Sequence, residues 1–104
     1  AVSFNAIGLH AGEGETSELL RLCPEQVRLN QATPGYTGDM EEGLTRLIAA
    51  GTRALSDNGV MGDPRLADAD RGERYLAAQP ACYEASLRAL LTAQPVAFSE
   101  DGSA

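Results

Sequence analysis

His10-Ala11-Gly12-Glu13-Gly14-Glu15-Thr16-Ser17 puts the chain's only histidine on a glycine hinge, beside two carboxylates and at the start of a helical pattern. An imidazole is the side chain best suited to moving protons near neutral pH. Gly12 and Gly14 remove side-chain bulk on both sides of Glu13, so backbone and a small ligand can approach closely. The stretch reads as a site more than as core filling.

Downstream of the hinge, Leu19, Leu20, Leu22 and Cys23 fit one face of a helix over Glu13 to Leu22, which Pro24 stops. Glu13 and Glu15 fall in its first turn, the charge sign favoured at the positive end of a helix dipole. Glu13 is therefore expected to serve the helix start, and the hydroxyls of Thr16 and Ser17 to bond helix backbone. A serine hydrolase needs a base and an orienting acid around its nucleophile, and nothing near Ser17 supplies that arrangement. Upstream, Val2, Phe4 and Ala6 alternate with Ser3 and Asn5, a period of two that predicts a short strand or an extended lead-in.

Further along, residues 29–38 contain Pro34-Gly35 and read as a loop. Asp39 is a credible N-cap with Glu42 three residues on; Met40, Leu44, Leu47 and Ile48 follow at helical spacing, and Gly51 closes the unit. Asn58-Gly59 and Gly62-Asp63-Pro64 are turn signals flanking Val60-Met61, fit either for substrate contacts or for a tight connection. From Ala67 to Gln94 the pattern is helical again, with Leu76, Tyr83, Leu87, Leu90 and Leu91 near one stripe. Pro80 inside it predicts a kink, or two helices meeting at 79–80.

At 104 residues the chain is one domain at most. Its 43% apolar content includes 17 alanines, and only 21 residues are Leu, Ile, Val or Phe. With a formal charge of −7, that composition lies near the border at which a chain fails to bury enough apolar surface alone. A partner that shares the core resolves the deficit. The acidic balance and scattered basic residues argue against nucleic acid or an anionic membrane as partner. No apolar run approaches the roughly 18 residues of a membrane span, and Ala1-Val2-Ser3-Phe4 lacks the head of a secretory signal, so a cytoplasmic location is expected. Cys23 and Cys82 show neither metal-type spacing nor scaffold density, and are expected as two buried reduced thiols on helices.

The octapeptide resembles the H-A/G-G-x-x-E-T-S signature of the creatininase, or creatinine amidohydrolase, family. The likeness continues through Pro24-Glu25-Gln26-Val27-Arg28, similar to the family's P-x-x-V segment, and through Asn58-Gly59-Val60-Met61-Gly62-Asp63-Pro64, similar to its G-V-x-G-D-P turn before a long helix. Roughly residues 5–94 are covered, and they correspond to the C-terminal part of longer family members.

The resemblance implies an α/β fold, a three-layer α/β/α sandwich usually built into hexamers. This chain would supply its C-terminal part over residues 1–94, mostly helical and completed by a partner chain, with 95–104 a flexible acidic tail. The family's acidic and histidine metal ligands lie in an N-terminal half with no counterpart here. Divalent ions, zinc, manganese or iron, are accordingly expected on an N-terminal creatininase-like chain or fragment, and none on this chain alone. His10 matches the family's proton shuttle, which delivers a proton to the leaving nitrogen. Glu15 matches the signature glutamate, implied to orient the imidazole, bind substrate or touch the metal shell.

Three departures narrow the substrate. Creatinine-hydrolysing members carry an aromatic residue where this chain has Ala6, many relatives an acidic one where it has Gly8, and an apolar one where Glu18 follows Ser17. Creatinine itself is disfavoured, and a specialised amide or small peptide is expected. The leading expectation is thus a subunit or processed fragment of a metal-dependent amidohydrolase. Its alternatives are a non-catalytic scaffold or regulatory subunit, motivated by Gly8 and Glu18, and a free-standing helical binding module.

Overall fold

The structure, a computed structural model, describes residues 2–93. Ser3 opens the first element. Its hydroxyl and its carbonyl both accept from the Ala6 amide, at 3.2 and 3.0 Å, and the chain turns into the four-residue helix α1, Phe4–Ile7. The expected strand or extended lead-in is therefore absent. A local side-chain cap and a closing glycine, Gly8 at φ 76°, outweigh a two-residue alternation that no neighbouring strand rewards.

α2, Glu13–Leu22, ends ahead of Pro24 as the sequence predicts. Two single turns of 3₁₀ helix follow, Pro24–Gln26 and Leu29–Gln31. α3, Met40–Ala50, starts where Asp39 accepts the Glu42 amide at 2.8 Å and stops at Gly51, φ 82°. Its predicted apolar stripe is only partly covered. Met40 is buried and the Tyr36 ring lies against Gly43, whereas Leu44 and Ile48 face outward. Further 3₁₀ turns at Thr52–Ala54 and Pro64–Leu66 lead to α4, Ala69–Thr92, capped by the Asp68 carboxylate on the Arg71 amide.

α4 is one helix, not two, despite Pro80. The proline leaves the Leu76 carbonyl without its helical donor, but at an exposed position water can take that bond and the ladder resumes beyond it. At 1.5 Å per residue α4 is about 36 Å long and α2 about 15 Å. α2 therefore covers only the first half of its neighbour. The crossing is close: a Cβ on Gly72 would stand 2.0 Å from the Ser17 carbonyl oxygen, so only glycine fits there. Past Pro80 the predicted stripe of Tyr83, Leu87, Leu90 and Leu91 is 59–83% exposed.

Among the described residues the buried apolar side chains are few, namely Ala6, Met40, Met61 and Pro64, and they are matched by the buried polar residues Glu13, Ser17, Ser56 and Asp63. Among the described residues there is no strand, and the single β-type pairing is an antiparallel bridge between His10 and Met61. The radius of gyration is 18.2 Å, against about 13 Å for a compact chain of this length, because half of α4 projects. Both cysteines are free. Cys23 is half-buried, but Cys82 is exposed, since it lies beyond Pro80 on the uncovered half of α4. No described helix is long and apolar enough to cross a membrane. The flexible tail expected over 95–104 lies outside the described residues.

Candidate functional site

The position of His10 is set by a loop far along the chain. Asn58 organises that loop: its carboxamide oxygen accepts from Ser56 Oγ at 2.8 Å and from the Val60 amide at 3.0 Å, and its nitrogen donates to Thr33 Oγ1 and the Pro34 carbonyl. The segment it folds is then bonded on two sides. Tyr36 donates to the Val60 carbonyl and Gly35 to that of Gly62, at 2.9 and 3.0 Å. On the other side Met61 receives the Leu9 amide at 2.8 Å and the His10 amide at 3.3 Å, and donates its own amide to His10 at 2.8 Å. The turn read as substrate contact or tight connection thus clamps the backbone of the imidazole.

The crossing of the two segments explains Gly8. A Cβ there would fall 1.8 Å from the Met61 carbonyl oxygen, at a φ of 76° that L side chains rarely adopt. Gly62 closes the same crossing from the opposite segment. Its own Cβ would meet the Gly12 Cα at 2.8 Å and the Gly8 Cα at 3.0 Å. Where many relatives place an acidic residue, this chain has a glycine that its backbone packing demands.

Ala11 carries the hinge itself. Its φ of 52° is left-handed, the one such non-glycine residue among those described, a conformation costing on the order of 1–2 kcal/mol. Glu15 offsets the cost by accepting the Ala11 amide at 2.7 Å through Oε2. The same oxygen lies 3.7 Å from His10 Nδ1, beyond a hydrogen bond but close enough to orient a cationic ring. The two predicted catalytic residues are thus brought together, and their side chains are 64% and 57% exposed. With Nδ1 turned to Glu15, the outward Nε2 is the nitrogen left for a ligand.

One turn inside this exposed pair is a sealed one. Glu13 is fully buried, and its carboxylate accepts from Ser17 Oγ, Arg71 Nε and Tyr75 Oη, each at 2.8 Å. Ser17 Oγ also accepts the Asp68 amide at 3.0 Å, and Arg71 reaches the Leu66 carbonyl. Burial pushes the Glu13 carboxyl up, but the bonds from Arg71, Ser17 and Tyr75 outweigh it and hold the group below the usual carboxylate range. Burial and the adjacent carboxylate raise the Tyr75 phenol. Glu13 is therefore more than an aid to a helix start, and the Ser17 hydroxyl bonds a carboxylate and a distant amide instead of its own helix backbone.

Sequence reasoning missed Arg71 and Tyr75, 58 and 62 residues away. The faint trace of them is their spacing: residues four apart on α4 share one face, and here both reach one carboxylate. Asp63 is better disclosed by its motif. It accepts the Arg65 amide and grips the guanidinium through two bonds at 2.9 and 2.8 Å, which holds its carboxyl below the usual range. His10 and Glu15 offer two donors, and among the described residues no group of three or more His, Cys, Asp or Glu is placed to hold a metal. The site as built by these residues places an imidazole beside a carboxylate, both open to solvent.

The residues that build this hinge and the G-V-M-G-D-P turn that clamps it lie within one family match: the chain belongs to the creatininase (creatinine amidohydrolase) family, whose model matches residues 3–82. Among curated relatives it is 40% identical over 68 residues to the mycofactocin precursor peptide peptidase of Mycolicibacterium smegmatis, covering 65% of this chain and 28% of that protein. The proteins of the same name from Mycobacterium ulcerans and Mycobacterium tuberculosis are each 41% identical, over 65–66% of this chain and 27–28% of theirs. The match thus spans little more than a quarter of the relatives' length. No solved structure matches the chain.

Proposed function

We propose that this chain is the C-terminal segment of an amidohydrolase that cleaves an amide C–N bond of a small peptide or a non-peptide amide, and that His10 is its proton shuttle. The observation that carries the reading is the exposed imidazole bonded through its backbone to Met61, with Nδ1 3.7 Å from Glu15 and Nε2 free. Glu15 orients the ring from 3.7 Å away. As the oxygen of a water adds to the carbonyl carbon and the C–N bond breaks, Nε2 donates its proton to the leaving nitrogen and the water's proton restores the ring, so the amine departs neutral and the acyl part as a carboxylic acid. Peptide specificity is supported by the printed name of the mycobacterial relatives.

The rest of the active centre belongs, in this proposal, to an N-terminal creatininase-like polypeptide. It would complete the three-layer α/β/α sandwich, carry the divalent metal ions (zinc, manganese or iron) together with their ligands, and build the higher oligomer, in the cytoplasm. The uncovered faces of α3 and α4 support such a partner. Gly8 no longer motivates a non-catalytic scaffold, since packing accounts for it.

The test is His10→Ala in the assembled protein. Turnover of an amide substrate is expected to drop by about 10²–10⁴, with assembly and melting temperature unchanged because the side chain makes no buried contact. Undiminished turnover removes the assigned role.

A further inference from the structure

Between α1, α2 and α4 lies a cavity of about 390 Å³ that shares one wall with the His10–Glu15 pair. Its walls are the apolar surfaces of Ile7, Gly14, Tyr75 and Ala78, and Glu15 and Glu18 stand at its edge. Gly14 keeps the space open, since a Cβ there would already stand 3.0 Å from Ile7 Cγ2. Each edge carboxylate is held through one oxygen only. Glu15 Oε2 takes the Ala11 amide and Glu18 Oε1 takes Gln79 Nε2 at 2.5 Å, so Glu15 Oε1 and Glu18 Oε2 carry no bond among the described residues. The volume lies in the range of ligand pockets, where apolar walls supply affinity and a few polar groups fix orientation.

We infer that this cavity is a substrate subsite for an apolar side chain, aromatic or branched aliphatic, whose neighbouring group bears a positive charge, such as a free amine. The inference deepens the proposed amidohydrolase reading and rests on it for the word substrate. The apolar walls exclude water from the side chain, and the two free carboxylate oxygens repel an anionic ligand and attract a cationic one. Glu15 serves both the edge of the cavity and the imidazole, so a ligand seated there is separated from the ring by that carboxylate alone. Tyr75 ties the cavity wall to the buried Glu13, so the wall does not collapse when the site is empty.

Direct binding to the assembled protein tests this without depending on turnover. L-phenylalaninamide, which has both ring and amine, is expected to bind about 10- to 100-fold more tightly than glycinamide, which lacks the ring. It should bind roughly 2- to 5-fold more tightly than N-acetylphenylalaninamide, which lacks the charge. Ala78→Phe, on an exposed helix position, should fill the cavity and erase the first difference, with Ala78→Leu intermediate; Glu18→Gln should reduce the second. Glycinamide binding as well as phenylalaninamide, or a ring preference that survives Ala78→Phe, overturns the subsite. Amide hydrolysis that depends on His10 alongside such a failure leaves the amidohydrolase reading standing. Selective binding with no hydrolysis of any amide sinks that reading and keeps the cavity as a ligand site.

Discussion

Glu13 and Glu15 stand two residues apart on the first turn of α2, yet one is sealed from water and the other is more than half exposed. The sequence places both in the same role, acidic residues at a helix start. What separates them is the direction of the helix. Two residues turn the side chain by about 200°, so Glu13 points into α4 and meets Arg71 and Tyr75, while Glu15 points back to Ala11 and His10. The inner carboxylate fixes where α2 sits, and the outer one acts from that fixed position on the imidazole. A structural charge and a site charge can thus be neighbours in sequence and opposites in energetics.

The largest effect expected breaks the inner half of the comparison. Glu13→Ala removes the acceptor of three bonds and should destabilise the assembled protein by about 2–4 kcal/mol, less than for a fully buried pair because the Arg71 guanidinium it leaves behind is partly open to water. Chemical denaturation reads it directly. A loss under 1 kcal/mol would mean that the pair breaks even, and that α2 is held by the glycine crossings alone. Next in size is Gly8→Ala, which forces a side chain into a left-handed position against the Met61 carbonyl. Strain alone should cost about 1–3 kcal/mol, and the displacement should reach His10 through the bridge and lower turnover as well.

The pH dependence sharpens the same contrast. Glu13, Asp63 and Asp68 all have carboxyl groups lowered below their ordinary range in the fold. The unfolded chain therefore binds more protons than the folded one in acid. Their stabilisation is present above the ordinary carboxylate range and is lost as pH falls through the lowered folded values. Glu13→Gln should flatten the acid limb of the stability profile. Tyr75 runs in the opposite sense. Its phenol is raised, so its contribution is present below an ordinary phenol's titration and is lost as pH rises through the folded value. Tyr75→Phe should cost about 1.5–3 kcal/mol near neutrality, as for a hydrogen bond to a charged group, and less above pH 10.

Which parts of this were legible in advance follows from how local each one is. α2 and α3 could be read because Pro24, Asp39, Glu42 and Gly51 act on their own backbone neighbours. The His10–Glu15 pair was legible through its motif, although the five-residue spacing gave no geometry; Ala11 in the left-handed region supplied it. The lead-in at residues 2–8 was misread because alternation looks like a strand only when something pairs with it, and Ser3 capped a helix turn instead. Of the two outcomes that Pro80 allows, two meeting helices are excluded, since one lost hydrogen bond on an exposed helix does not divide it. The Glu13 network was invisible, because contacts 58 and 62 residues long leave no spacing in a single sequence.

The smallest effect expected isolates the outer half of the comparison. Ala11→Gly removes the Cβ that makes φ 52° costly, a relief of about 1–2 kcal/mol. It also frees the unfolded chain, which takes back about 0.5–1 kcal/mol, so the net gain in stability should stay within about 1 kcal/mol. Turnover is the more informative reading. The alanine restricts the hinge to the one conformation in which its amide meets Glu15 and the ring lies 3.7 Å from that carboxylate. If that restriction positions His10, the glycine variant melts no lower than the parent but turns over more slowly, a separation that a purely structural hinge does not produce. Equal turnover would show that the Met61 bridge and Glu15 suffice to aim the imidazole, and that the strain at Ala11 follows from the crossing of Gly8, Gly12 and Gly62 alone.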